Sequence, residues 1–182
     1  QSEAGMLAYY REVAAATTLP IVLYVRHESV SAEMLKQAAA IPNIIGAKYA
    51  VNHLPAFARA VQLIGDEWVW ICGTAEMWAP FFFAAGAVGF TSGMVNVDAA
   101  RSFAMLNALR GGRYTEAMML WEELRPFEEL RERNRSANNV RVVKEAMAQL
   151  GMCSSTVRPP IAPLSEADRI QVGRVLRSWG LQ

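Results

Sequence analysis

Ile21-Val22-Leu23-Tyr24-Val25 is an unbroken apolar run rich in β-branched side chains, with no polar residue alternating through it. Such a run reads as a short strand buried on both faces, the kind found in parallel sheets. Working outward, the same pattern returns at a regular interval. Asn43-Ile44-Ile45-Gly46-Ala47-Lys48 is the next strand, Trp68-Val69-Trp70-Ile71-Cys72 the third, and Val88-Gly89-Phe90-Thr91-Ser92 the fourth. Lys48 stands 24 positions after Tyr24, Cys72 another 24 after Lys48, and Ser92 20 beyond Cys72. Between them lie stretches with helical spacing: Ala32 to Ala40 behind the cap Ser31, Leu54 to Ile64, and about Glu76 to Ala85. An Ala-rich helix, Met6 to Thr17, precedes the first strand. Strand, helix and short loop in rotation predict βαβ units and a parallel sheet, and right-handed crossovers put the strand C-termini on one edge.

From about Val97 the pattern changes to helix alone. Ala99 to Leu109, Thr115 to Arg133 and Asn139 to Leu150 carry apolar stripes, with Gly111-Gly112 and Gly151 as breaks. Val157 to Leu164 (VRPPIAPL) is an extended connection. Ser165, with Asp168 three positions on, opens a last helix in a capping-box-like arrangement. Four βα units do not close a barrel, which usually needs about 250 residues. The residues alone therefore leave two readings open, a small open α/β sheet or the later half of a barrel.

Composition narrows the class. The chain has 182 residues and is 53% hydrophobic, enough for a real core. With 18 basic and 17 acidic residues, nothing calls for nucleic acid or an acidic membrane surface. Two cysteines, Cys72 and Cys153, are too few for a disulfide framework or a cysteine-type zinc site, so a reducing cytoplasm is the expected setting. The most apolar stretch, Met77 to Phe90, is too short to span a bilayer and is broken by Pro80, Gly86 and Gly89. No secretory signal pattern opens the chain. It starts at Gln1 rather than Met, and further sequence upstream is expected.

Three lysines are present. Lys36 and Lys144 fall on predicted helices, where solvated or ion-paired roles are the rule. Lys48 ends an apolar strand at the C-terminal edge of the sheet, where α/β active sites are built. Desolvation by apolar neighbours favours a neutral amine, the form that attacks a carbonyl. The alternative is a strand-end lysine snorkelling to water. Tyr24 holds the corresponding place one strand earlier and has a phenol for proton relay, or else simply fills the sheet end. Arg26, two residues on, suits carboxylate binding or plain exposure. Gly73 and Thr74 in the GTAE turn, and Ser92 and Gly93 in FTSGMVN, are small residues that let backbone N–H groups approach an anionic substrate, or else form ordinary tight turns. His27 and His53 match no metal spacing, so no metal is expected. Trp68 and Trp70 read as packing, and Ala117 to Leu124 (AMMLWEEL) as core or subunit interface. No Gly-rich phosphate loop of the required spacing follows a strand, which argues against an open nucleotide-binding sheet.

In order, LPIVLY (Leu19 to Tyr24), IPNIIGAK (Ile41 to Lys48), the GTAE turn, AAGAVGFTSGMVNV (Ala84 to Val97) and VRPPIAPLSEADR (Val157 to Arg169) resemble the dihydrodipicolinate synthase / N-acetylneuraminate lyase family of class I Schiff-base lyases. The resemblance implies a TIM (β/α)8 barrel. Residues 1–96 would be its second half, and residues 97–182 its last helix and a C-terminal helical extension. It implies that Lys48 is the imine-forming lysine and Tyr24 the proton-relay tyrosine, with Arg26, Gly73, Thr74, Ser92 and Gly93 toward the substrate. It also implies pyruvate or a 2-keto-3-deoxy sugar acid as substrate, no metal or organic cofactor, and a homo-oligomer, usually a tetramer. Two departures stand out. The family's Gly-Thr-Thr-Gly-Glu segment is absent, and Tyr24 is followed by Val25-Arg26-His27-Glu28-Ser29 rather than the Asn-x-Pro-x-Arg-Thr-Gly of true synthases. The Tyr-x-Arg pattern, GTAE and RERNRSANNVRVVKEA (Arg131 to Ala146) are more similar to the branch containing 5-dehydro-4-deoxyglucarate dehydratase, so a dehydratase or aldolase is expected. The competing expectation is a non-catalytic or incomplete family member that acts by association.

Overall fold

Ser31 accepts a hydrogen bond from the Met34 N–H, and His53 Nδ1 accepts one from Ala56 N–H, so two of the crossover helices begin where a side chain satisfies a free backbone donor. The structure, a computed structural model, describes residues 2–182. Its contacts divide the chain into two compact units, the first ending at Thr91 and the second beginning at Ser92.

The first unit runs α1 (Glu3–Ala15), β1 (Ile21–Val25), α2 (Ala32–Ala39), β2 (Ile44–Tyr49), α3 (Leu54–Ile64), β3 (Val69–Cys72), α4 (Ala75–Ala84) and β4 (Gly89–Phe90). The strands form one sheet in the order β1-β2-β3-β4, every pair parallel. Each element lies within a few residues of its sequence expectation. The fourth strand is only Gly89–Phe90, shorter than the run that Val88 to Ser92 suggests.

Helices cover one face of the sheet. Leu23, Val25, Ala47, Tyr49, Trp70 and Cys72 pack there against Leu7, Met34, Leu35, Phe57 and Phe82. The centre of that layer is aromatic. Phe57 lies edge-on to Tyr49 (5.2 Å between centroids) and to Trp70 (5.5 Å), and 4.7 Å from Phe82. The other face carries Val22, Tyr24, Ile45 and Val69, all more than a third exposed. Within residues 2–182 the side chains of β1 alternate between buried on the helix side and exposed on the other. The reason is geometric: the helices of this unit pack on the same side of the sheet, so side chains of opposite phase meet none of them.

The second unit is helical: α5 (Ala99–Arg110), α6 (Tyr114–Glu132), α7 (Asn139–Gln149) and α8 (Glu166–Ser178). Its core holds Met105, Leu124, Phe127, Leu130, Val142, Val172 and Leu176. Asp98 caps α5, accepting from the Arg101 N–H at 3.1 Å, and Arg101 in turn donates to the Trp179 carbonyl at 3.0 Å. Glu128 and Arg131 form a buried ion pair, and Arg131 also donates to Asn139 Oδ1 at 2.7 Å and 3.0 Å. That fork leaves the buried guanidinium well matched, as an internal charge requires. Ser165 caps α8 as expected. Asp168 returns its carboxylate to the serine hydroxyl at 2.9 Å and pairs with Arg133, in place of the longer reach of a full capping box. No helix among the described residues is long and apolar enough to cross a membrane.

Because Phe57 touches three other aromatic rings and is fully buried, Phe57→Ala should lower unfolding free energy by about 3–5 kcal/mol. Urea denaturation followed by tryptophan fluorescence measures it, and a change under about 1 kcal/mol would show that the ring cluster does not hold this layer together.

Candidate active site

Parallel pairing sets Tyr24 of β1 beside Lys48 of β2, and Lys48 beside Ile71 of β3. All three lie at or next to the C-terminal ends of their strands. In that register the half-buried Lys48 amine stands over the face of the Tyr24 ring, Nζ 4.0 Å from its centroid. Arg26 approaches the same ring, with Cζ 5.4 Å from the centroid. An aromatic face attracts both cations and holds their long side chains near one another. Arg26 is exposed and has no ion pair among the described residues. Tyr24 is 52% exposed and lies on the face of the sheet away from the helices. An amine, a phenol and a guanidinium therefore meet on the open side of the strand ends. The amine can attack a carbonyl, the phenol can carry protons, and the guanidinium can hold a carboxylate.

The neighbouring tyrosine is a useful contrast. Tyr49 follows Lys48 directly but faces the helices and is nearly inaccessible. Burial, and then the negative charge of Glu28, push its phenol above the ordinary tyrosine range. It stays protonated inside the aromatic cluster and is poorly placed for proton transfer, whereas Tyr24 is open.

Gly73 lies just past β3. Its N–H donates to the Tyr49 carbonyl at 2.7 Å, and a Cβ there would come 2.7 Å from the Ala50 Cβ, so the GTAE turn lies tight against the end of β2. Thr74 Oγ1 sits 3.5 Å from Cys72 Sγ, and the next residue, Ala75, has φ of +61°, a left-handed conformation costly for any residue with a Cβ. Glu76 is fully buried at this turn. Ser92 and Gly93 open the second unit. The Ser92 hydroxyl accepts from the Val95 N–H at 2.8 Å, and the Gly93 carbonyl accepts from Asn96 Nδ2 at 2.9 Å, which closes the short turn Met94–Asn96.

The structure thus brings Tyr24, Arg26 and Lys48 together, sets Gly73 and Thr74 at the end of the next strand, and places Ser92 and Gly93 in the other unit. Lys36 is exposed on α2, and Lys144 Nζ donates to the Thr156 carbonyl. Among the described residues no group of three or more His, Cys, Asp and Glu side chains is placed to hold a metal ion. His27 Nδ1 is occupied locally by Ser29, and His53 by its helix cap. The sequence pattern singles out neither the structural part of Gly46 nor the burial of Glu76. A glycine inside a strand is the one signal it offers for the first.

A model described as the Dihydrodipicolinate synthetase family matches residues 1–178. A probable 5-dehydro-4-deoxyglucarate dehydratase of Rhodococcus opacus (strain B4) is 28% identical over 181 residues, covering 97% of this chain and 59% of the relative. A 4-hydroxy-tetrahydrodipicolinate synthase of Methanothrix thermoacetophila is 30% identical over 180 residues, 96% of this chain and 60% of its own. Among solved structures, dihydrodipicolinate synthase from Oceanobacillus iheyensis superposes with a TM-score of 0.95 at 40% identity, over 100% of this chain and 61% of that one. The chain spans about 60% of the length of the curated relatives it matches. Its parallel βα units are accordingly part of a (β/α)8 barrel, as the sequence resemblance implies.

Cys72 is a control on the reactivity of this region. Burial above all, with a smaller push from Glu76, raises its thiol to about 11, against the lowering effect of hydrogen bonds from Thr74. At about pH 8 almost none of it is thiolate, the reactive form. A disulfide reagent applied to native protein should therefore titrate the exposed Cys153 alone, with Cys72 reacting only after denaturation. Peptide mapping reads this out, and rapid native labelling of Cys72 would contradict the buried site.

Proposed function

The chain belongs to the dihydrodipicolinate synthetase family, and from that premise we propose that it carries the imine-forming centre of a lyase acting on pyruvate or a 2-keto-3-deoxy sugar acid. The observation that supports this most directly is the Lys48 amine 4.0 Å from the Tyr24 ring, on the open side of adjacent strand ends. In this reading the neutral Lys48 amine attacks C2 of the keto acid. The carbinolamine loses water to give an iminium, and that iminium draws electrons from C3. Removal of a C3 proton, or cleavage of the C3–C4 bond, gives an enamine.

Tyr24 relays the protons, delivering one to the departing hydroxyl and taking one back as the imine forms and is later hydrolysed. Arg26 holds a substrate carboxylate, since a planar guanidinium matches two oxygens at once. Gly73 and Thr74 shape the wall beside the amine. No metal or organic cofactor enters this scheme, because the iminium is itself the electron sink. Elimination of a C4 hydroxyl from the enamine makes a dehydratase, and release of an aldehyde makes an aldolase. The Tyr24-x-Arg26 pattern favours the first. By family analogy the working enzyme is a homo-oligomer.

The competing reading is a family member without catalysis that acts by association. Borohydride trapping separates the two. The protein is incubated with pyruvate, reduced and digested, and the peptide containing Lys48 should gain the mass of a reduced pyruvyl adduct. Lys48→Ala should abolish the adduct. Tyr24→Phe should slow its formation by about 10²-fold or more, the usual scale for loss of a proton-transfer group. An unmodified Lys48 peptide from folded protein would reject the imine reading in favour of the non-catalytic one.

A further inference from the structure

Ile44 faces the helix layer and is 3% exposed. Side chains alternate strictly along a regular strand, so counting on from Ile44 would put Gly46 and Lys48 on that same covered side and Tyr49 on the open one. The strand does the reverse. Ala47 and Tyr49 are buried in the helix-side core, and Lys48 stands over the Tyr24 ring. The phase of β2 therefore changes between Ile44 and Ala47.

The pairing shows where. Ile21 pairs with Ile44, but the next residue, Val22, already pairs with Gly46. Ile45 is left as one extra residue of β2 opposite no residue of β1, and its side chain is 38% exposed. This is a β-bulge, a device that re-aims the side chains beyond it. Its other half is Gly46. A Cβ built on Gly46 would lie 2.2 Å from the Val69 carbonyl oxygen and 3.0 Å from both the carbonyl carbon and the nitrogen of that residue. All three are backbone atoms of the adjoining strand, paired in register with Gly46, and no side-chain rotation relieves the overlap. At this step the backbone presents toward β3 a direction that only a hydrogen can occupy.

We propose that Gly46 is a positioning residue for Lys48: by allowing the bulge at Ile45, it turns the Lys48 amine from the helix layer to the face it shares with Tyr24. Its functional meaning rests on the imine reading of Lys48, but its geometry does not. With a methyl group at position 46, either β2 parts from β3 at Val69 or the phase change is lost. In both cases the amine leaves the Tyr24 ring. Deleting Ile45 has a different consequence. It removes the extra residue while keeping Ile21 with Ile44 and Tyr24 with Lys48, and regular alternation then gives Lys48 its present face without any demand for glycine.

The test compares wild type, Gly46→Ala, the Ile45 deletion, and the two changes combined, in the full-length protein. Two readouts are taken. The first is acylation of Lys48 by a small amine reagent, measured by peptide mass against the exposed Lys36 of the same chain, with circular dichroism as the check on folding. It does not depend on imine chemistry. The second is borohydride trapping of pyruvate. Gly46→Ala should change the Lys48-to-Lys36 labelling ratio by about tenfold, or fail to fold, whereas the combined variant should fold and return the ratio to within about twofold of wild type. Trapping should fall and recover in step. Gly46→Ala with an unchanged ratio would overturn the proposal. So would alanine at position 46 doing equal damage with and without Ile45, or an Ile45 deletion that does not fold. Wild-type protein that labels as expected but traps no pyruvate would sink the imine reading alone.

Discussion

Parallel pairing of β1 with β2 and of β2 with β3 is the constraint on which the rest of the first unit depends. Strands that run the same way must each be followed by a return crossover, and right-handed crossovers place α2, α3 and α4 on one side of the sheet. The aromatic layer of Tyr49, Phe57, Trp70 and Phe82 is the filling between those helices and the strands. It gives the sheet one apolar, dry face. The same pairing leaves every strand C-terminus at one edge, so residues distant in sequence, Tyr24 and Lys48 foremost, become neighbours without any contact between their side chains being needed to bring them there.

What those residues can do follows from the face they occupy. On the helix side, a phenol such as that of Tyr49 is pushed toward its neutral form by burial, and a thiol such as that of Cys72 is pushed up to about 11. Groups on that side are stable and inert. On the other side, Tyr24 and Arg26 are exposed and Lys48 is half-buried. The division between core and chemistry is a division between odd and even positions along a strand. A single extra residue in β2 decides on which side of it the amine falls.

The second unit is stabilised by different means. Its helices join through buried or half-buried polar anchors as well as apolar contact: Glu128 with Arg131 and Asn139, Asp98 with Arg101 and the Trp179 carbonyl, and the Trp179 indole donating to the Glu123 carbonyl at 3.2 Å. Each anchor ties a helix end or a connection to a particular place. Between α6 and α7 the residues Asn134, Arg135 and Ser136 all take positive φ, near 60°. No glycine marks that turn in the sequence.

Much of the first unit is legible in the amino-acid sequence. β1, α3 and the cap Ser31, and in the second unit the cap Ser165, follow from apolar spacing and cap chemistry, because short-range backbone preferences and hydrogen bonds set them. The even interval between Tyr24, Lys48 and Cys72 points to the parallel sheet, and the ordered motifs point to the family. The open face of β1 is not legible, since an apolar run looks the same whether one side or both are covered. Nor is the bulge. Ile44-Ile45-Gly46-Ala47-Lys48 reads as one apolar strand ending in Lys48, and only the tertiary structure sets the Val69 backbone where a Cβ on residue 46 would fall. The sequence by itself determined which elements form and in what order, because those are local preferences of the chain. Tertiary structure alone decided which way Lys48 faces, because that depends on how β2 registers against strands more than 20 residues away on either side.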